Sequence, residues 1–150
     1  MSTSISSVGS VLSFATTSDP AAVVDGENNV IGEVIVNTYF NGAFNRQDTV
    51  AMARGFHRDF AIFSANGEGL ERYPIQNWID SVNARKVALD FDATTAQRDC
   101  RIVQLDVTGG AAMAKVEIDR DGKRLYTDYL SLLKFGNNWK IVAKVYVEHQ

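Results

Sequence analysis

Four segments in the second half of the chain decide the fold: 97-QRDCRIVQLDV-107, 111-AAMAKVEID-119, 123-KRLYTDYLSLLKF-135 and 139-WKIVAKVYVE-148. Each is rich in β-branched, aromatic and aliphatic residues, and each is separated from the next by turn residues: Gly109-Gly110, Asp121-Gly122 and Gly136-Asn137-Asn138. Such pairs supply the positive φ angles that tight hairpins require, so the four segments predict an antiparallel meander. In the second segment Ala112, Ala114, Val116 and Ile118 share one face while Lys115, Glu117 and Asp119 share the other, the pattern of a half-buried strand. The run Tyr129-Leu130-Ser131-Leu132-Leu133 and most of Ile141 to Val147 are instead apolar on both faces. A sheet covered by helices on one side and by a second subunit on the other would read this way. A homodimer through the outer face of the sheet is therefore expected.

Upstream of the meander the period changes from two to between three and four. From Glu27, apolar residues Val30, Ile31, Val34, Ile35, Tyr39 and Phe40 recur at helical spacing, and Ala43 and Phe44 carry the pattern to a stop near Asn45-Arg46. Asp48 is placed to cap a second, short helix over Val50, Met52, Ala53 and Phe56, with His57 at its end. Phe60 to Phe63 reads as a short strand and Asn66-Gly67 as the turn after it. Pro74 suits the first turn of a third helix, whose apolar stripe is Ile75, Trp78, Ile79 and Val82. Lys86 to Thr95 is expected to be a loop or a short irregular strand. Helices first and sheet last is the order of an α+β domain, not of a βαβ repeat.

Residues 1–25 are rich in Ser, Thr and Ala and are read as a flexible arm; its Val8, Val11, Leu12 and Phe14 offer a few anchors for docking. Residues 26–150 then form a single domain, within the usual size range. Fifteen Lys+Arg against 18 Asp+Glu give a net charge of -3, with no basic stripe of the kind a nucleic-acid surface needs. One cysteine, Cys100, excludes an intrachain disulfide and a multi-cysteine metal site, and fits a reducing, cytoplasmic setting. No apolar run is long enough to cross a membrane, and two separated histidines offer no metal-ligand spacing. Phosphate-cradling loops and serine elbows are missing too, so neither a metal nor a cofactor is expected.

Three strings now bear on kinship: Tyr39-Phe40-Asn41-Gly42-Ala43, Phe56-His57-Arg58-Asp59, and Asp128-Tyr129-Leu130-Ser131-Leu132-Leu133-Lys134 leading into Trp139-Lys140-Ile141-Val142. With the order of elements, they resemble the nuclear transport factor 2-like superfamily from about Glu27 onward, and within it the lumazine-binding and polyketide-cyclase-like branch. The resemblance implies a cone of three helices closed by a curved, mainly antiparallel sheet, with a pocket at its wide end and a dimer across the outer face. Members of the superfamily range from enzymes to pure binding proteins, so the fold alone leaves function open.

The resemblance places Tyr39 where the ketosteroid isomerase phenol stands, but Ser64 and Ser131 fall where that enzyme has its carboxylates. A hydroxyl cannot replace a carboxylate base near neutral pH without a partner, which argues against that particular isomerisation. The family register would turn Tyr129, Ser131 and Leu133 into the cone and Asp128 toward the dimer. His57 is either a proton carrier oriented by Asp59 or Asp128, or a terminator of the second helix. Asp128, unusual in mid-strand, is either a pocket acid or the partner of Lys144 on the next strand. Trp78 is either core or pocket wall.

The candidate set is thus His57 and Tyr39 for catalysis and Ser64, Trp78, Tyr129 and Ser131 for ligand binding. Two functions stay open at this level. One is cofactor-independent acid/base chemistry of the isomerase, dehydratase or cyclase type on an apolar cyclic compound; the other is a non-catalytic module for a pteridine-like or lumazine-like heterocycle.

Overall fold

Helix α1 (Pro20–Ile35) runs directly into a ten-residue π-helical segment, Val36–Asn45. The wider winding is visible at its end, where the Arg46 amide reaches back five residues to the Asn41 carbonyl at 2.8 Å. Such segments concentrate at functional sites, because the inserted residue re-aims the side chains around it. The computed structural model describes residues 20–150. Positions 1–19, including Val8, Val11, Leu12 and Phe14 of the expected arm, lie outside the described residues; from Pro20 the backbone is helical.

Asp48 caps α2 (Thr49–Gly55) by accepting a hydrogen bond from the Ala51 amide. Gly55, the last residue of that helix, packs against Thr38 where nothing larger fits: a Cβ there would stand 1.6 Å from Thr38 Oγ1. His57 therefore does not terminate α2. It lies on strand β1 (Phe56–Asn66). Strand β2 (Gly69–Pro74) follows, exposed along most of its length and so without the apolar alternation that marks a strand in sequence. Helix α3 covers Ile75–Lys86, and a short 3₁₀ turn at Ala93–Ala96, opened by Asp92 accepting from the Thr94 amide, occupies the segment expected to be loop or strand.

The remaining strands match the meander: β3 (Asp99–Thr108), β4 (Ala111–Arg120), β5 (Lys123–Phe135) and β6 (Asn138–Glu148). The six strands form one sheet in the order β2-β1-β6-β5-β4-β3, with β1 parallel to β6 and every other pair antiparallel. Register shifts interrupt the ladders at Phe56/Ala61, Ile102/Gln104, Ile118/Asp119 and Ser131/Leu132. Bulges of this kind bend the strands that carry them, which is how the sheet acquires its curvature. The core fills the concave side: Ile31, Ile35, Tyr39 and Phe40 pack over Leu105, Ala114, Val116, Ile118, Leu130, Leu132 and Ile141.

One of these shifts corrects the expected facing of β5. Arg120 pairs with Lys123 and Asp119 with Arg124, but Ile118 then pairs with Tyr126, which leaves Leu125 as the extra residue. Beyond the bulge Val116 faces Asp128 and Ala114 faces Leu130. Directly opposed residues share a face, so Asp128, Leu130 and Leu132 point into the concave core and are fully buried. Tyr129 and Leu133 lie on the convex face, about two-fifths exposed, with Ser131 between them.

Candidate active site

Tyr39 is delivered by the π-helical segment to the centre of the concave face and is fully buried. Its hydroxyl donates to Asp128 Oδ2 of β5 at 2.5 Å and accepts from Lys144 Nζ of β6 at 2.8 Å. Lys144 Nζ stands 3.9 Å from the same carboxylate oxygen, so the phenol, not a direct contact, joins the two charged groups. The cross-strand pairing explains the arrangement: Asp128 is paired with Tyr146 and Lys144 with Leu130, which sets the acid and the amine diagonally on one face of adjacent strands.

Aromatic rings enclose the amine. Its nitrogen lies 4.8 Å from the ring centroids of both Tyr39 and Trp78 and 5.0 Å from that of Tyr146. Trp78 meets Tyr39 edge-on at 5.6 Å, and Tyr126 meets Tyr146 edge-on at 5.8 Å. Between these rings opens a cavity of about 160 Å³ lined by Tyr39, Phe44, Ile62, Trp78, Tyr126, Lys144 and Tyr146. Asp128 stands behind the phenol, and its second oxygen, Oδ1, is buried with no hydrogen-bond partner.

Burial governs the protonation of all three groups. It pushes the Asp128 carboxyl up, against the opposing pull of Lys144 and the Tyr39 hydrogen bond. It pushes the Lys144 amine down to about 8, with Asp128 resisting. The Tyr39 phenol is raised well above its ordinary value, first by burial and then by the neighbouring carboxylate. Desolvation thus favours the neutral form of each group, and the two hydrogen bonds of the Tyr39 hydroxyl link the amine to the carboxyl. Cys100, by contrast, is held up to about 12, chiefly by burial, and is an inert thiol at neutral pH.

Of the six side chains singled out from sequence, the structure brings Tyr39 and Trp78 together at this cavity. His57 is elsewhere: its ring stacks on Phe135 at 4.8 Å and its Nδ1 accepts from the Asp59 amide. Ser64 is exposed on β1 opposite Glu71 of β2. Tyr129 and Ser131 look outward, Tyr129 beneath the Lys115 amine at 5.9 Å. Asp128 and Lys144, weighed in sequence as an ion pair, prove to be the polar heart of the pocket. Tyr126 and Tyr146 complete its wall, and their signal was the inward parity of Asp128 that the Leu125 bulge concealed.

A larger groove of about 380 Å³ lies between α1, α2 and the β5–β6 turn, with Glu33, Arg54 and Lys140 on its walls. Glu33 and Arg54 are exposed, and the Lys140 amine is taken by the Arg54 carbonyl, so water already satisfies or screens these charges. The smaller cavity differs in that its polar groups, Tyr39 and Lys144, are buried.

Similarity to known proteins follows the same lines. Solved NTF2-like structures from Silicibacter pomeroyi, Shewanella baltica and Methylobacillus flagellatus superpose with TM-scores of 0.65, 0.65 and 0.62 at 24%, 26% and 27% identity. The alignments cover 84%, 91% and 93% of this chain and 98%, 99% and 100% of those chains, respectively. No curated protein matches the chain. The α+β architecture and the relatives agree on the NTF2-like superfamily, and the family model described as "Putative lumazine-binding" matches residues 27–147: the chain belongs to that family.

Proposed function

We propose that this protein binds a small, flat, ring-containing molecule between Trp78, Tyr146 and Tyr39, and moves a proton on it through Lys144, Tyr39 and Asp128. The observation that carries this reading is the buried Lys144–Tyr39–Asp128 chain ending in an aromatic cavity. A passive apolar pocket has no use for an ionisable pair whose burial costs several kcal/mol, on the order of the desolvation of each ion. Three neighbouring groups with displaced protonation are instead the signature of acid/base work. The volume suits one or two fused rings with a polar edge to meet the amine and the phenol.

Non-catalytic storage of a lumazine-like heterocycle is the second reading, and the family description favours it. Calorimetric titration with lumazine and with one-ring and two-ring analogues separates the outcomes. Saturable binding that Tyr39→Phe weakens at least about tenfold supports the site, the size expected from leaving a buried partner unpaired. Absence of saturable binding across the whole series would remove it. If Asp128→Asn keeps the affinity of the wild type for every ligand and no ligand is ever converted, the storage reading stands instead.

A second copy of the chain is proposed on the convex face. Tyr129, Leu133, Val145 and Val147 form an exposed strip there, 40%, 42%, 48% and 53% exposed. Beside the strip Arg101 and Arg124 are neutralised by Glu117 and Asp119, which leaves a charge-balanced rim. Sedimentation should give a dimer that Val145→Glu converts to monomer; a wild-type monomer at micromolar concentration would overturn this. Among the described residues no helix is long and apolar enough to cross a membrane. A cytoplasmic setting belongs to the same proposal and rests on the lone, unpaired Cys100.

A further inference from the structure

Among the six lysines of the chain, Lys144 is alone in being buried, and alone in lining the aromatic cavity, which opens to solvent on one side. Its nitrogen makes one hydrogen bond, to the Tyr39 hydroxyl, and the nearest carboxylate oxygen lies beyond hydrogen-bond reach at 3.9 Å. The rest of its surroundings are ring faces and the cavity itself. An ammonium kept purely for structure would be expected to satisfy its three donors with oxygens. One that must shed its proton and expose a lone pair needs this kind of surrounding instead.

We propose that Lys144 is a nucleophile that captures an aromatic aldehyde as an imine within the cavity. The proposal rests on the pocket reading above and adds the class of ligand and the bond that forms. The neutral amine adds its lone pair to the carbonyl carbon, the carbonyl π pair moves onto oxygen, and that oxygen takes up one of the two amine protons, giving a carbinolamine. The Asp128 carboxyl then supplies a proton through the Tyr39 hydroxyl, the carbinolamine oxygen leaves as water, and nitrogen gives up its last proton to restore the acid. One amine and one aldehyde become one imine and one water, with no oxidant or reductant. Burial favours each requirement: it lowers the Lys144 amine to about 8, so that more of it is unprotonated near neutral pH than of an exposed lysine, and it raises the Asp128 carboxyl.

The cavity sets the ligand class. At about 160 Å³, with Trp78, Tyr126 and Tyr146 for walls, it admits a single substituted ring or a compact bicycle, and the carbonyl must project toward the β6 side. A long aliphatic aldehyde would leave the rings unpaired and would have to fold back on itself.

The test is reductive trapping on the full chain. The protein is incubated with benzaldehyde and sodium cyanoborohydride at neutral pH, and benzylated lysines are mapped by mass spectrometry. Lys144 should be modified at least about tenfold faster than Lys86, Lys115, Lys123, Lys134 or Lys140, because far more of it is unprotonated at that pH. Tyr39→Phe, which keeps the amine, should slow the Lys144 adduct severalfold and leave the other five unchanged. Adducts spread evenly, or Lys144 spared while surface lysines react, would overturn the proposal, and neither result depends on a variant folding. Calorimetry with benzyl alcohol, which fills the cavity without an electrophilic carbon, keeps the two readings apart. Binding of the alcohol without a Lys144 adduct sinks only the imine, whereas failure of both compounds sinks the pocket as well.

Discussion

The Tyr39 hydroxyl bonds to Asp128 across 89 residues of sequence at 2.5 Å, and so ties the π-helical segment to the middle of the fifth strand. That single contact fixes the phenol, holds the acid at the back of the cavity and leaves the opposite side of the oxygen to Lys144. Removing it has consequences for both stability and binding.

Tyr39→Phe strips Asp128 of its one hydrogen bond, because Oδ1 is already without a partner. The variant should be less stable by about 1–3 kcal/mol, the cost of an orphaned buried polar group. Urea denaturation followed by far-ultraviolet dichroism would measure it. A loss below a few tenths of a kcal/mol would mean that water reaches the carboxylate.

Lys144 gives a pH dependence of definite sign. In the folded chain its amine loses its proton near pH 8, in the unfolded chain near 10.5. Between these values the unfolded state binds more protons, so this group makes stability rise with pH, by on the order of 3 kcal/mol across the window. Cys100 acts in the opposite sense above pH 9, since the buried thiol stays protonated to about 12 while an unfolded one ionises. Tyr39, also raised, removes stability above pH 10. Subtracting the curve of Lys144→Met from that of the wild type isolates the lysine: the difference should climb between pH 8 and 10.5, and a flat difference would contradict the burial of the charge.

Gly55→Ala places a methyl group 1.6 Å from Thr38 Oγ1, an impossible distance, and 2.6 Å from both Thr38 Cβ and Cγ2. The π-helical segment and α2 must then separate, at a cost of about 1–3 kcal/mol. Thr38→Ala added to it removes the oxygen and one methyl but leaves Cβ, and should restore part of the loss. Thermal denaturation of the single and double variants would show the coupling; simple additivity would count against it.

Deleting Leu125 takes out the extra residue of the β4–β5 bulge. Without it the two-residue Asp121-Gly122 turn pairs Arg124 with Asp119 and Tyr126 with Ile118 in plain register, so Asp128, Leu130 and Leu132 keep their places on the concave face and only the local bend is lost. Such a chain should keep cooperative unfolding, whereas inserting one further residue beside Leu125, which slips every later side chain of β5 to the opposite face, should abolish it and expose apolar surface to a dye such as anilinonaphthalene sulfonate. Equal tolerance of the deletion and the insertion would argue that the pairing beyond the bulge does not depend on the length of this turn.

This bulge also marks where the sequence stops being readable. The meander, the helical spacing from Glu27, the Asp48 cap and the Pro74 helix start are all local signals, and each corresponds to an element of the structure. A two-residue Asp121-Gly122 turn in plain register would oppose Ile118 to Leu125 and send the odd residues of β5 inward; nothing in the string 123-KRLYTDY-129 announces the inserted residue. The family register likewise places Tyr129 and Ser131 inward and Asp128 toward the dimer, whereas the bulge turns Asp128 into the core and Tyr129 and Ser131 outward. Strand β2 escaped because its exposed residues Leu70 to Tyr73 show no alternation. His57 drew attention as a titratable residue in the folded body, but the proton chain is built from a phenol, an acid and an amine whose meeting depends on three distant elements.

The last strand closes the sheet from the middle. β6 sits between β1 and β5, so before Asn138–Glu148 has left the ribosome the backbone ladder exists only as two separate pieces, the β1–β2 hairpin and the β3–β5 meander. Neither piece holds Lys144, and during synthesis Asp128 waits beside an open strand edge with no amine to answer it. A nascent chain stalled before Asn138 should consequently be a customer for chaperones, while the completed chain, needing only to slot one strand into a waiting gap, assembles its proton chain and its final fold in a single event.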